Sequence, residues 1–410
     1  MLFHYQDNLF VFFVNIDKST DRYSMKIQNS TYLLYIYNIY IINMSTFYYD
    51  GTNSSSYNGE STIVINSNVT SIPNNAFEFQ TTLTTLTFES NSQLQTIGEN
   101  AFKSATNLAS LNIPASVTSI GESAFEEITY LTTLTFESNS QLKTIGDYAF
   151  KNASNLASLN IPASVTSIGD SAFEELAKLT TLTFESNSHL QTIGEYAFKN
   201  ASILTSISIP ASVTSIGDYA FSFASALVSF DFGSNSQLQK INDNLFTYAS
   251  SLTSIIIPNN INSIGDYAFS FASALEKIEF EPFSRLKIIG SYTFTYDSSL
   301  SSIYIPYAVS SIGENAFLYS NLKNVTILSN NKLNITIPSS NVSFYGAIVD
   351  ISPPGLHSSK SCYLLTPNEI DFIFNNYVVP YLQNYPISVY ETTDSSGPAI
   401  RTNSEGVPID

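Results

Sequence analysis

From residue 57 to 338, apolar side chains recur in one fixed order. Its plainest copy is Leu108 to Phe125, LASLNIPASVTSIGESAF. Leu111 and Ile113 alternate with Ser110 and Asn112, which predicts a short strand with one buried face. The chain then turns at Pro114, or in alternate copies at an ESNS tetrad, both of which suit tight turns. Val117 and Ile120 form a second apolar pair aimed at the same interior. Gly121 ends that segment, and Glu122-Ser-Ala124-Phe125 predicts a short helix or 3-10 turn with Ala and Phe inward.

One such unit has no closed core, so it must be iterated. The phenylalanines closing each unit are Phe77, Phe102, Phe125, Phe150, Phe173, Phe198, Phe221, Phe246, Phe269, Phe294 and Phe317, alternately 25 and 23 residues apart. Leucines from Leu83 to Leu322 keep the same time. The duplicated unit is thus a 48-residue pair, one member carrying TFESNSQL and the other IPASV. Strands about 4.8 Å apart would give a sheet roughly 55 Å long over twelve coils.

The flanks lack this order. Residues 1–56 form a non-repeat segment in which Leu9–Val14 and Tyr32–Ile42 are too short or too polar for a signal peptide or a membrane helix. Met44 is expected to be the biological start, with 1–43 outside the native protein; a greasy cap over the first coil is the alternative. After the solenoid at 57–338, Thr366-Pro-Asn-Glu369 reads as a capping box opening a helix to Pro380 that covers the last coil. The polar residues 391–410 read as disordered.

Composition narrows the partners. The net charge of −18 argues against nucleic acid. The single cysteine, Cys362, excludes a disulfide framework and a thiolate zinc site. His4, His189 and His357 share no spacing with a nucleophile or ligand set, and near-identical coils do not supply one unique catalytic constellation. No enzyme activity, cofactor or metal is expected.

Two columns of side chains could carry chemistry. The acids Glu99, Glu122, Asp147, Asp170, Glu195, Asp218, Asp243, Asp266 and Glu314 follow the glycine position. They could ladder calcium, but capping of each coil's short helix is the better reading. The outward strand positions are monotonous at first (Thr85 and Thr87, Ser110 and Asn112) and then diversify to Asp231, Ile256, Lys277, Glu279, Tyr304 and Asn324. Selective recognition needs non-repeating side chains with an aromatic or basic anchor, so these six form the candidate binding face; simple drift of the late coils is the competing reading. Asn-x-Ser/Thr sequons, such as Asn152 and Asn200, matter only if the protein is secreted.

The pattern LxxLxIPxSVTSIGxxAF resembles the BspA-like, or Treponema-type, class of leucine-rich repeats. It departs from that class where Cys is common three residues after the Phe, since Ala105, Ala153, Ala201, Ala224, Ala249 and Ala272 stand there. The resemblance implies an α/β repeat solenoid: a right-handed leucine-rich-repeat stack of about twelve coils, with one parallel sheet on one face and short helical or 3-10 turns on the other. It also implies a surface or secreted, non-enzymatic scaffold binding a protein or glycan ligand on another cell surface, without nucleic acid or a membrane span. The absence of a leader-like segment leaves an intracellular interaction scaffold in the cytoplasm as the alternative.

Overall fold

The computed structural model describes residues 46–328 and the separate strands Leu2–Tyr5, Asn8–Val11, Asn15–Asp17, Arg22–Ser24 and Ile348–Ser352. Residues 46–328 wind into a parallel β-solenoid of about twelve coils, each with three walls around one core. The first wall is a strand of three to five residues such as Ser110–Ile113, whose Leu111 and Ile113 are buried while Ser110 and Asn112 are exposed. It pairs in parallel with Thr133–Phe136, setting Leu111 opposite Leu134 and Ile113 opposite Phe136. Period-2 alternation thus delivers one side chain of each pair to the core, as the sequence requires. The stack begins at Thr46–Tyr49, in register with Thr62–Ile65, and Ile348–Ser352 adds a rung beside Asn324–Leu328.

The second wall was not anticipated as a sheet. Residues such as Ser119–Ile120 and Thr144–Ile145 form two-residue strands in a second parallel sheet, continuous over seven coils from Ser71–Ile72 to Ser215–Ile216. This sheet, rather than the long one, has the unbroken ladder. The long strands pair inside each 48-residue unit but not between Thr133–Phe136 and Ser158–Ile161. There the side chain of Asn155 spans the gap, donating to the Thr129 carbonyl at 2.6 Å.

The third wall corrects the helical expectation. Its described residues are turns, and the described part of the chain has one 3-10 helix, Ser54–Ser56. The reason lies in the backbone N–H groups. Those of Asn100, Phe102 and Ser104 donate to Glu122, Ala124 and Glu126 of the next coil at 2.8–2.9 Å, while Ala101, Lys103 and Ala105 close local turns. A helix would turn every N–H onto its own chain. Asn100 and Ser104 instead adopt φ of 53° and 59°, the left-handed geometry that type II turns demand. The glycine before each turn permits close stacking: a Cβ on Gly169 would lie 2.6 Å from the Asp147 backbone nitrogen.

The acids therefore cap no helix. The Asp170 N–H donates to Asp147 Oδ1 at 2.8 Å and the Glu195 N–H to Asp170 Oδ1 at 2.8 Å, so each aspartate receives the turn of the coil that follows it. The glutamates of the ESNS turns do the reverse: Glu137 and Glu185 accept from the N–H groups of Ala115 and Ala163 in the preceding coil.

The phenylalanine column is the spine. Successive rings from Phe77 to Phe221 stack with centroids 5.2–5.5 Å apart. The step from Phe221 to Phe246 widens to 6.4 Å, because Phe230 enters edge-on between them at 5.2 and 4.6 Å, with Phe232 beside it. Leucine or isoleucine fills the Phe230 position in the earlier coils. At this coil the short-strand sheet breaks, and a four-stranded one resumes at Lys240–Ile241. Asn242 stands in the glycine column where the stack has opened.

Candidate functional site

The six outward residues share the solvent face of the long-strand sheet, but they are not equivalent. Asp231 is engaged by the fold itself: its Oδ2 accepts from the Ser208 hydroxyl at 2.8 Å and its Oδ1 from the Gly233 N–H at 2.9 Å. Lys277 and Glu279 form an ion pair with each other. Ile256 lies directly opposite Glu279 in the parallel register, and Asn324 lies opposite Ser302 on the strand that carries Tyr304. Ile256 is 55% exposed and Tyr304 48%. The apolar anchors are thus open while the charges are largely internally paired. In the N-terminal half the same face closes on itself, with Thr135 donating to Asn112 at 2.8 Å and Thr183 to Asn160 at 2.9 Å.

A second surface was missed by the outward-strand reading. Two residues after each late spine phenylalanine stand Phe223, Tyr248, Phe271, Tyr296 and Tyr319, at the left-handed turn position. Their rings stack in an unbroken ladder with centroid separations of 4.8, 4.5, 4.5 and 4.7 Å. A parallel column adds the Tyr267–Tyr292 stack at 4.9 Å. Four of the five ladder rings are at least 39% exposed. The column repeats with the spine's own period, so the signal was present in the sequence two places beyond each phenylalanine.

The same wall is charged in the N-terminal half. Lys103 pairs with Glu126 at 2.8 Å, and Glu174 bridges Lys151 and Lys199 at 2.9 and 3.1 Å. Burial works to raise the Glu174 carboxyl, but the flanking lysines and Ser171 overcome it and hold the group below the usual carboxylate range. Lys151 and Lys199 also sit over Tyr148 and Tyr196. Near the Phe230 coil, then, one wall changes from a self-neutralised ion ladder to an exposed aromatic one. Twelve of the sixteen exposed large apolar side chains among the described residues follow residue 200, which places the unusual surface in one half.

Among the described residues no three His, Cys, Asp or Glu side chains converge as a metal site, and no helix is long and apolar enough to cross a membrane. His189 lies at an exposed turn, 3.1 Å from the Ala163 carbonyl. The cap helix expected at 366–380, the tail, and most of 1–43 fall outside the described residues.

Three stacked walls, a phenylalanine spine and a Leu/Ile core define a leucine-rich-repeat solenoid. The BspA type leucine rich repeat region matches residues 41–156, 143–237 and 234–339, and the chain belongs to that family. No curated protein matches it. Among solved structures, it is similar to a leucine-rich repeat protein from Bacteroides ovatus, with 19% identity over 85% of this chain and all of that one and a TM-score of 0.55. A leucine rich cell surface protein from Faecalibacterium prausnitzii is 25% identical over 76% of this chain and 83% of that one, with a TM-score of 0.42. The pneumococcal vaccine antigen PcpA is 22% identical over 71% and 79%, also at 0.42.

Proposed function

We propose that the chain is a non-enzymatic adhesive scaffold, displayed or secreted, that engages a protein partner through its C-terminal half. Family membership supports a protein-binding scaffold, and the exposed aromatic ladder from Phe223 to Tyr319 carries the choice of half. Monomeric proteins rarely leave contiguous apolar surface open unless it meets something, and aromatic rings are the side chains most enriched at interface centres. Ile256 and Tyr304 supply anchors on the adjoining sheet face, with the Lys277–Glu279 pair and Asn324 at their rim. An intracellular interaction scaffold would use the same surfaces.

The test replaces ladder rings by the residue that the fold accepts at that turn in earlier coils, Asn152 and Asn200. Y248N/Y296N should keep the melting temperature within a few degrees and lose saturable binding of the labelled protein to intact cells or immobilised matrix proteins. Binding unchanged by the variant would overturn the ladder's role. Protease shaving of intact producing cells addresses display: protein found only inside unshaved cells would leave the intracellular scaffold as the reading.

A further inference from the structure

A groove of about 530 Å³ crosses four successive coils on the edge between the two sheets, lined by Gln237, Gln239, Asn260, Asn262, Arg285 and Lys287. It lies immediately after the Phe230 break. Its third coil departs from the repeat in a directed way. Where the earlier coils read ESNSQLQTI with no more than two substitutions, among them Lys143, His189 and Lys240, this one reads EPFSRLKII from Glu281 to Ile289. The residues that hold the coil are kept. Glu281 accepts from the Asn259 N–H at 3.0 Å, Ser284 from the Leu286 N–H at 3.3 Å, and Leu286 and Ile289 are fully buried.

The changes are all outward: Asn gives way to Phe283, Gln to Arg285 and Thr to Ile288. Phe283 takes φ of 58°, a conformation that disfavours a bulky side chain, and yet stands 68% exposed. Tyr307, where earlier coils have Ala115, Ala163, Ala211 and Asn259, is 44% exposed and directly precedes Ala308 of the groove lining.

Arg285 is the one arginine between residues 46 and 328, and Lys287 stands two positions along the same coil, where Lys143 stands in an earlier one. Lys103, Lys151, Lys199, Lys240 and Lys277 pair with acids, whereas among the described residues Arg285 and Lys287, like Lys143, Lys178 and Lys323, do not; Arg285 and Lys287 are the two such cations that share one coil. The amides are only partly used. Gln237 donates to Asn235 O and Asn260 to Ser236 O, while the side-chain amides of Gln239 and Asn262 have no described partner.

We infer that this groove is a binding site for a carboxylated saccharide. Two unpaired cations on one rim suit a carboxylate, which arginine takes in bidentate fashion. Four amides, each both donor and acceptor, suit vicinal hydroxyls. Flanking aromatic rings suit the C–H face of a sugar ring. An acidic peptide fits less well, because the amide floor offers no apolar pocket to anchor its side chains. The site is separate from the aromatic ladder and does not depend on the protein-partner reading.

Titration calorimetry on the full chain tests it with polygalacturonate, its fully methyl-esterified form and polyglutamate. Polygalacturonate should bind and weaken with salt. The ester and polyglutamate should bind at least about tenfold more weakly. R285Q/K287Q should lower polygalacturonate affinity by roughly tenfold or more. Q239A/N262A should weaken polygalacturonate without changing any residual polyglutamate binding. All four positions are exposed, so unchanged melting of both variants is the folding control. Absence of polygalacturonate binding, equal binding of polyglutamate, or an unaffected R285Q/K287Q variant would each overturn the proposal; loss of cell binding in Y248N/Y296N leaves it untouched.

Discussion

At the scale of single residues, the solenoid is a set of columns, and the informative residues are those whose column predicts something else. Phe173 is a regular member, fully buried between Phe150 and Phe198 at 5.4 and 5.5 Å. Phe173→Ala should therefore cost about 3–5 kcal/mol, read as a lowered denaturant midpoint. Asp297 is an irregular member, standing where Ala272 and Ala249 occupy the preceding coils. Its carboxyl is fully buried with neither oxygen hydrogen-bonded in good geometry. Burial pushes its pKa well above the carboxylate range, only weakly relieved by the Ala272 backbone. The folded state then keeps this proton to higher pH than the unfolded chain does. Stability is fully present below the ordinary Asp pKa and is lost as pH rises toward the folded value. Asp297→Ala should raise the melting temperature at pH 7 and flatten its decline between pH 4 and neutrality; a variant that melts lower at pH 7 would contradict the burial of an unrelieved carboxyl.

At the scale of the element, the third wall shows what was legible in the sequence and what was not. The long strands could be read because period-2 alternation at Leu111 and Ile113 is a local signal. The Val117–Ile120 pair announced its inward direction but not its sheet. Two residues are too few for alternation, and the strand exists only because Thr144–Ile145 and Thr96–Ile97 lie on either side. The run from Gly121 to Phe125 misled for a related reason. Acid, Ser and Ala after glycine suit a helix start, but the neighbouring coil competes for the same N–H groups and takes alternate ones in the repeats from Phe77 to Phe294. The aspartates followed suit, capping the next coil's turn rather than a helix.

The proposed binding surface was the least legible. Ile256 and Tyr304 were visible as departures from the repeat, but the aromatic ladder is itself periodic and so resembles scaffold. That its rings reach solvent is a property of the turn geometry. Close approach at the glycine column is the requirement that defines this wall. Gly169→Ala would press a methyl group onto the Asp147 backbone at 2.6 Å, where no side-chain rotation gives relief. A loss of about 3 kcal/mol is expected, measurable by urea unfolding; a loss under about 0.5 kcal/mol, as at an ordinary surface site, would show that the coils can part at little cost.

At the scale of the whole molecule, a solenoid's stability is a sum of coils and the interfaces between neighbours. A single weak interface therefore divides it into cooperative blocks. The coil containing Phe230 and Phe232 is that interface: the spine widens there to 6.4 Å and the short-strand sheet is interrupted between Ser215–Ile216 and Lys240–Ile241. Elsewhere the sheet ties coils through paired bonds, such as Gln191 N–H to Thr166 O at 2.8 Å and Gly194 N–H to Ile168 O at 2.9 Å. The equivalent donors at the break, Gln239 and Asn242, make no such bond among the described residues. The third wall still crosses the break, with Phe223 N–H donating to Thr247 O at 2.8 Å, so the halves stay docked while their contact is weakened. The division coincides with the change from ion ladder to aromatic ladder, so the half bearing the proposed binding surfaces can open locally without unravelling the charged half. Native-state hydrogen exchange gives the decisive measurement. Amides of Gln239 and Asn242 should exchange at least about tenfold faster than those of Gln191 and Gly194, and protection should fall into two groups on either side of residues 217–240. Uniform protection across that boundary would show that the phenylalanine wedge is packed as firmly as any other coil.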